Sequence, residues 1–321
     1  MNDSIENPTL GEPSPNFQIS FREDLPEPER EVAEHSVATL IARAEERFAR
    51  FRYIAEEQTR LRSALNAPIQ RLVEQDHEAH RALDELRNQD LIHPDMITAL
   101  GPEPLPVMSG HFTMPFDPFN FPTTAEVAAL RPRILDVRVP PYDFTFSFST
   151  GNPPFQQVLN NTTGQVGLQS RSGQVDGGAS GFVRAHAGFG VVFTTDHASM
   201  ARGHSFRRMR YTYAVNAIGL GGNATSEGGM DFGAFEDGRL LDTVSSTLWH
   251  KRVSSDDDLE QEDVGPFAVF EPDELAFPVE PGHLYAFPVG IWVFSDREPG
   301  WGVAAALSML QGKIFAISID R

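Results

Sequence analysis

The chain has 321 residues, 40% of them apolar, a net charge of −19 and no cysteine. That acidity argues against a nucleic-acid binder, which shows a basic face to phosphates, and equally against docking on an anionic membrane. Without cysteine there are no disulfides, thiolate metal centres or cysteine nucleophiles.

The length accommodates two domains, or one domain and an extension. No basic-then-apolar leader follows Met1, where Asn2, Asp3, Glu6 and Pro8 are polar or helix-breaking. No apolar run reaches the roughly 20 residues that span a bilayer. The expectation is a cytoplasmic protein, or one released without a Sec signal, with no membrane span. Every basic residue except Lys251 and Lys313 is arginine or histidine, and arginine is the side chain suited to bidentate and interface ion pairs.

Residues 1–23, with Pro8, Pro13 and Pro15 and no periodicity, read as a flexible tail. Within them Phe17, Ile19 and Phe21 alternate and could add a strand to a neighbour. Residues 24–90 read as a helical arm. Asp24 is placed to cap it, with Glu27 three residues on and Pro26 in the first turn. Val37, Ile41, Ala44, Phe48, Phe51 and Ala55 then step by four and three residues, a heptad seam, and Leu40, Ile54, Leu61 and Leu65 form a second stripe. Asn66-Ala67-Pro68 reads as a break near 63–68, after which Ile69, Leu72, Ala79, Leu83 and Leu86 continue the pattern. The prediction is an antiparallel helical hairpin, or one long kinked helix. Such an arm cannot bury its stripe alone, so Val37, Ile41, Phe48 and Phe51 are expected to drive homo-oligomerisation.

Residues 91–133 are a proline-punctuated connector with short helices. Its Phe112, Phe116, Phe119 and Phe121 should wrap the following domain or form an aromatic recognition strip.

From residue 134 the period becomes two. Phe144, Phe146 and Phe148 alternate with Thr145 and Ser147. Val183, Ala185, Ala187, Phe189, Val191 and Phe193 oppose Arg184, His186, Gly188 and Gly190. Met209, Tyr211, Tyr213, Val215 and Ala217 alternate with polar residues. Leu284–Phe294 is apolar on both faces, as in a central or interface strand. Val303–Leu310 and Ile314–Ile319 read as strands joined by a Gln311-Gly312 turn. The fold class expected is α+β and segregated: an N-terminal helical hairpin or coiled-coil arm, then an antiparallel, jelly-roll-like β-sandwich over 134–321.

Candidate chemistry is sparse. His77 and His80 share a helix face, which is compatible with a metal, but they lack the zincin His-Glu-x-x-His spacing and read as a solvated face. Ile218-Gly219-Leu220-Gly221-Gly222 follows a strand, but Asn223 to Gly229 cannot open the helix a dinucleotide needs, so it reads as a long loop. His186, His197 and His204, with Asp196 and Ser205, lie near one another without a nucleophile elbow. The acidic stretch Ser254–Asp263 lacks the EF-hand pattern and reads as a solvated loop, or as a partner for Arg202, Arg207, Arg208 and Arg210. No catalytic residue, cofactor or metal is assigned. Trp249, Trp292, Trp301 and Tyr285 carry flat faces of the kind that stack on sugars, with core packing as the alternative.

Arm plus sandwich resembles, in outline, phage-type receptor-binding and lectin-like proteins, with no motif that assigns a family. The functional expectation is a non-enzymatic assembly or recognition protein, its arm for oligomerisation and its sandwich for a glycan or protein ligand. The alternatives are a hydrolase on the sandwich using His or carboxylate residues, and a pore-forming or membrane-remodelling protein.

Overall fold

A computed structural model of the protein describes residues 17–87, 135–151, 155–172, 181–220, 222–254, 260–269, 274–298 and 301–321. The connector at 91–133 lies outside them. The described chain is predominantly β. Its strands are β1 (Gln18–Phe21), β2 (Leu135–Arg138), β3 (Phe144–Gly151), β4 (Phe155–Asn160), β5 (Gln165–Ser172), β6 (Gly181–Phe193), β7 (Ser199–Leu220), β8 (Asn223–Glu236), β9 (Arg239–Ser254), β10 (Glu260–Val269), β11 (Leu275–Val279), β12 (Tyr285–Glu298) and β13 (Trp301–Asp320). Two antiparallel sheets result. Sheet A runs β1-β3-β6-β12-β8-β9. Sheet B runs β10-β7-β13-β5-β4, with β11 also pairing β7 and β2 also pairing β13.

The antiparallel sandwich expected from the alternation is present, but the segregated α+β class with a helical hairpin or coiled-coil arm is not. The described helices are α1 (Glu27–Gln75, 49 residues) and α2 (His77–Arg87, 11 residues). No hairpin forms, because α1 runs straight through the expected break. Pro68 is exposed and so is Ala64, one turn back. The carbonyl that proline leaves without a donor is therefore open to water, and the helix continues. The true interruption is Asp76, whose Oδ1 accepts from the backbone N–H of Glu78 (2.9 Å) and Ala79 (3.2 Å) and so caps α2.

Nor is the first part of α1 an arm. It lies against β3, β6, β9 and β12 of sheet A. Ala33, Val37 and Ile41 are buried there against Phe144, Phe146, Phe148, Val192, Phe235 and Ala286. The heptad pattern is real, but its partner is a sheet face rather than a second helix. The layers are therefore helix, sheet A, sheet B. Residues 18–21, expected in a flexible tail, pair as β1 with β3 in register Phe21↔Phe144 to Gln18↔Ser147. Arg22 fixes this entry. Its guanidinium reaches buried Asp143 (2.7 Å) and Asp24 (2.5 Å), while Asp143 Oδ2 accepts from the Val192 N–H (2.8 Å).

The outer face of sheet A shows why β3 and β6 alternate as they do. Phe144 pairs with Gly190, Phe146 with Gly188 and Phe148 with His186. A Cβ on Gly190 would sit 2.0 Å from the Phe144 ring, and one on Gly188 would sit 2.8 Å from the Phe146 ring. Glycine lets each ring lie flat across the neighbouring strand, leaving a smooth aromatic surface for α1. β12 is buried at all 14 positions, because its odd residues face sheet B and its even ones face this helix-covered layer.

Between the sheets the core holds Phe189, Val191, Met209, Phe232, Phe287, Val289 and Ile291. A chain of buried hydroxyls crosses it. Ser170 Oγ lies 2.7 Å from Ser295 Oγ, which donates to Ser308 Oγ (2.8 Å), itself 2.6 Å from Ser226 Oγ. Each group finds partners inside the core, as buried hydroxyls require. The expected turn at Gln311-Gly312 does not exist, since β13 passes through it. A Cβ on Gly312 would meet the Arg208 carbonyl oxygen at 2.1 Å, so this glycine serves close strand approach. The expected long loop at 218–229 is also mostly strand, β7 ending at Leu220 and β8 starting at Asn223.

Candidate functional site

A cleft opens where α1 crosses the middle of sheet A. Leu40, Arg43 and Ala44 of α1 form one wall, and Phe146, Phe148, Arg184, His186, Asp231 and Thr243 are among the sheet residues facing them. Alternation places the polar members. β6 turns Arg184 and His186 to the outer face with Gly188 and Gly190, and β12 pairs Trp292 with His186 and Gly290 with Asp231.

His186 is the centre of this set. Its Nδ1 lies 2.9 Å from Asp231 Oδ2, its Nε2 accepts from Arg184 Nε (3.1 Å), and its ring stacks on Phe148 at 4.4 Å between centroids. With Nε2 accepting, the proton sits on Nδ1 and points at Asp231. The Asp231 carboxyl lies below its usual range. Burial opposes this, but the His186 hydrogen bond, the Ser245 hydrogen bond and the Arg184 charge outweigh it. The Arg184 guanidinium covers Trp292, 4.7 Å from the ring centroid. The arrangement can hold a charged or polar ligand. As it stands it is not a nucleophile-activating site, because Nε2 already accepts from Arg184.

Further along the same face, Asn223 Nδ2 donates to Glu298 Oε2 (2.7 Å) and Arg252 donates to Asn223 Oδ1 (3.2 Å). Beside them burial, with the Glu298 charge adding to it, pushes the Asp296 carboxyl up to about 7. A carboxyl raised in the folded state opposes folding only when ionised. Its cost is absent below the unfolded value near 4, and it grows as pH rises to about 7. Asp296→Asn should therefore raise the melting temperature at pH 8 and leave it nearly unchanged at pH 4. The gain is on the order of 4 kcal/mol at most, read by calorimetry across that range.

The residues singled out from sequence are distributed as follows. Trp249 (5% exposed) and Tyr285 (0% exposed) are in the inter-sheet core, so neither offers a face to a sugar. The indole N–H of Trp249 donates to Ser226 Oγ (2.9 Å), and its ring stacks on Tyr211 at 4.8 Å. Trp292 is buried beneath Arg184. Trp301 begins β13, its side chain outside the described residues. Val37 and Ile41 face sheet A, already covered within the chain. Phe48 and Phe51 belong to α1, their side chains outside the described residues.

His186, His197 and His204 do not converge. His186 is in sheet A, His204 is in sheet B 3.9 Å from Asp320, and His197 follows β6 in a loop. His77 and His80 are exposed on α2, with His80 3.6 Å from Asp84. Asp256, Asp257 and Asp258 lie outside the described residues. The acidic stretch does meet one of its expected arginines, Arg210 Nε donating to Asp263 Oδ1 (3.0 Å). Sequence reasoning missed the Asp231–His186 pair, since the two are 45 positions apart. The available signal was a lone carboxylate on the glycine-rich face of β8, Gly229-Met230-Asp231-Phe232-Gly233.

No family model matches the chain, and no curated protein matches it. The solved structure of a GH31 alpha-xylosidase from Xanthomonas citri is 10% identical, over 58% of this chain and 36% of that one, with a TM-score of 0.10. The chain thus spans about a third of that enzyme's length, and a likeness this low carries no argument.

Proposed function

We propose that this is a non-enzymatic assembly and recognition protein that self-associates through the distal part of α1. The observation that carries this is an apolar face with no partner among the described residues. Tyr53, Leu61 and Leu72 are 65%, 60% and 68% exposed, three large apolar side chains open to solvent on one helix. At 3.6 residues per turn they fall, with exposed Ala64, within one arc of about 100°. Water contact at such a face is unfavourable, and a partner helix removes it.

Charge indicates a second copy as that partner. The chain carries −19 and repels itself over most of its surface. Residues 45–75 hold six arginines and five glutamates, with no lysine or aspartate, so two copies of this segment approach without net repulsion. The seam moves from the sequence expectation of Val37, Ile41, Phe48 and Phe51 to the face bearing Tyr53, Leu61 and Leu72. Tyr53→Arg with Leu61→Glu and Leu72→Arg should convert the wild-type oligomer into a lower one, or a monomer, by light scattering. A monomeric wild type at micromolar concentration would end this reading.

A further inference from the structure

We propose that the cleft between α1 and sheet A binds a small organic anion, an aryl or alkyl carboxylate, with Arg43 and Thr243 as its donors. Two observations on opposite walls lead there. Arg43 projects from α1 over the cleft and makes no hydrogen bond or ion pair with any described residue. Across from it, the Thr243 hydroxyl on β9 is likewise unengaged among the described residues, only its backbone N–H being taken, by Asp242.

The other charges in the cleft are already satisfied by one another. Asp231 is held by His186, and His186 accepts from Arg184. What is left for an incoming group is therefore a guanidinium and a hydroxyl, both able to donate, in a cleft whose arginines outnumber its carboxylate. An acceptor with negative charge completes that set, because a carboxylate takes a charge-assisted bond from Arg and a second bond from a hydroxyl. On a chain of net charge −19 this cleft is a local exception.

The apolar side of the cleft selects the rest of the molecule. Leu40, Phe146, Phe148 and Pro288 line it together with Gly290. A Cβ on Gly290 would come 3.1 Å from the Phe146 ring, so glycine there preserves a flat apolar floor. An aryl group lies against such a wall while its carboxylate meets Arg43.

The test uses the full chain and two probes of the same shape, 4-fluorobenzoate and neutral 4-fluorobenzamide, followed by fluorine NMR line broadening during titration. The benzoate should bind saturably, at least about tenfold more tightly than the amide, as expected for one charge-assisted hydrogen bond. Arg43→Glu should weaken the benzoate by about tenfold or more and leave the melting temperature unchanged, since Arg43 is exposed and without a partner among the described residues. Thr243→Val should weaken it several-fold. Equal binding of the two probes, no saturable benzoate binding, or full benzoate binding by Arg43→Glu would each overturn the proposal.

Discussion

Val37→Asp should destabilise the protein by about 3–5 kcal/mol and free the first half of α1 from the sandwich. Val37 has no exposed surface, and it packs on the layer formed by Phe144, Phe146, Phe148, Val192, Phe235 and Ala286. Nothing in that layer can donate to a carboxylate, so the new charge is either buried without a partner or expelled with the helix. Expulsion uncovers the row of phenylalanines on β3 and so invites aggregation. Chemical denaturation gives the loss in stability. Hydrogen exchange should show lost protection over residues 29–44, whereas a helix hanging clear of the sheet would show little protection there even in the wild type.

The second large effect concerns Trp249. Trp249→Ala should cost about 3–5 kcal/mol, because a fully packed indole leaves a cavity between the sheets. The ring stacks on Tyr211, and it lies over Gly228, where a Cβ would come within 1.9 Å of it. Trp249→Phe separates two contributions. It keeps an aromatic ring over Gly228 but removes the N–H that Ser226 accepts, and should cost about 1–3 kcal/mol. Thermal denaturation of both variants measures this. A sugar-stacking role predicts the opposite, a loss of ligand binding with the melt unchanged.

These two residues show how far the sequence was legible. Period-two alternation located β3, β6 and the central part of β7, and two-sided apolarity marked β12 as central, because strand patterning depends only on which faces are covered. The same logic misassigned α1. Val37 and Ile41 carry the spacing of a coiled coil, and that spacing records an apolar stripe without recording whether a helix or a sheet covers it. The partner of the stripe, Phe144, Phe146 and Phe148, lies more than 100 residues further on, in a strand whose alternation reads as half-buried but which is buried on both faces, Thr145 and Ser147 included. Only three-dimensional proximity joins the two.

Glycine and tryptophan were ambiguous for a related reason. Gly312 sits inside β13 because the β7 backbone passes close to it, which one-dimensional pattern reads as a turn. The genuine hairpin turn, Asp237-Gly238 with φ of 48° and 81°, does carry the local signature of its type. Trp249 and Tyr285 look alike in sequence whether they face a ligand or the core, and neighbouring strands decide which. The candidate cleft was the least legible part. Arg43, Arg184, Asp231 and Thr243 come from α1, β6, β8 and β9 and share no local motif.

Because the chain contains no cysteine, a single spin label can be placed without background, and this gives the most direct test of assembly through the distal face of α1. Nitroxides attached separately at Leu61→Cys and at Val139→Cys, an exposed position beside β2, are compared by pulsed dipolar EPR on the full chain. Self-association through the Tyr53, Leu61 and Leu72 face predicts a defined interspin distance for the label at 61, shorter than that for the label at 139. Absence of dipolar coupling at 61, or a shorter distance at 139, would contradict it.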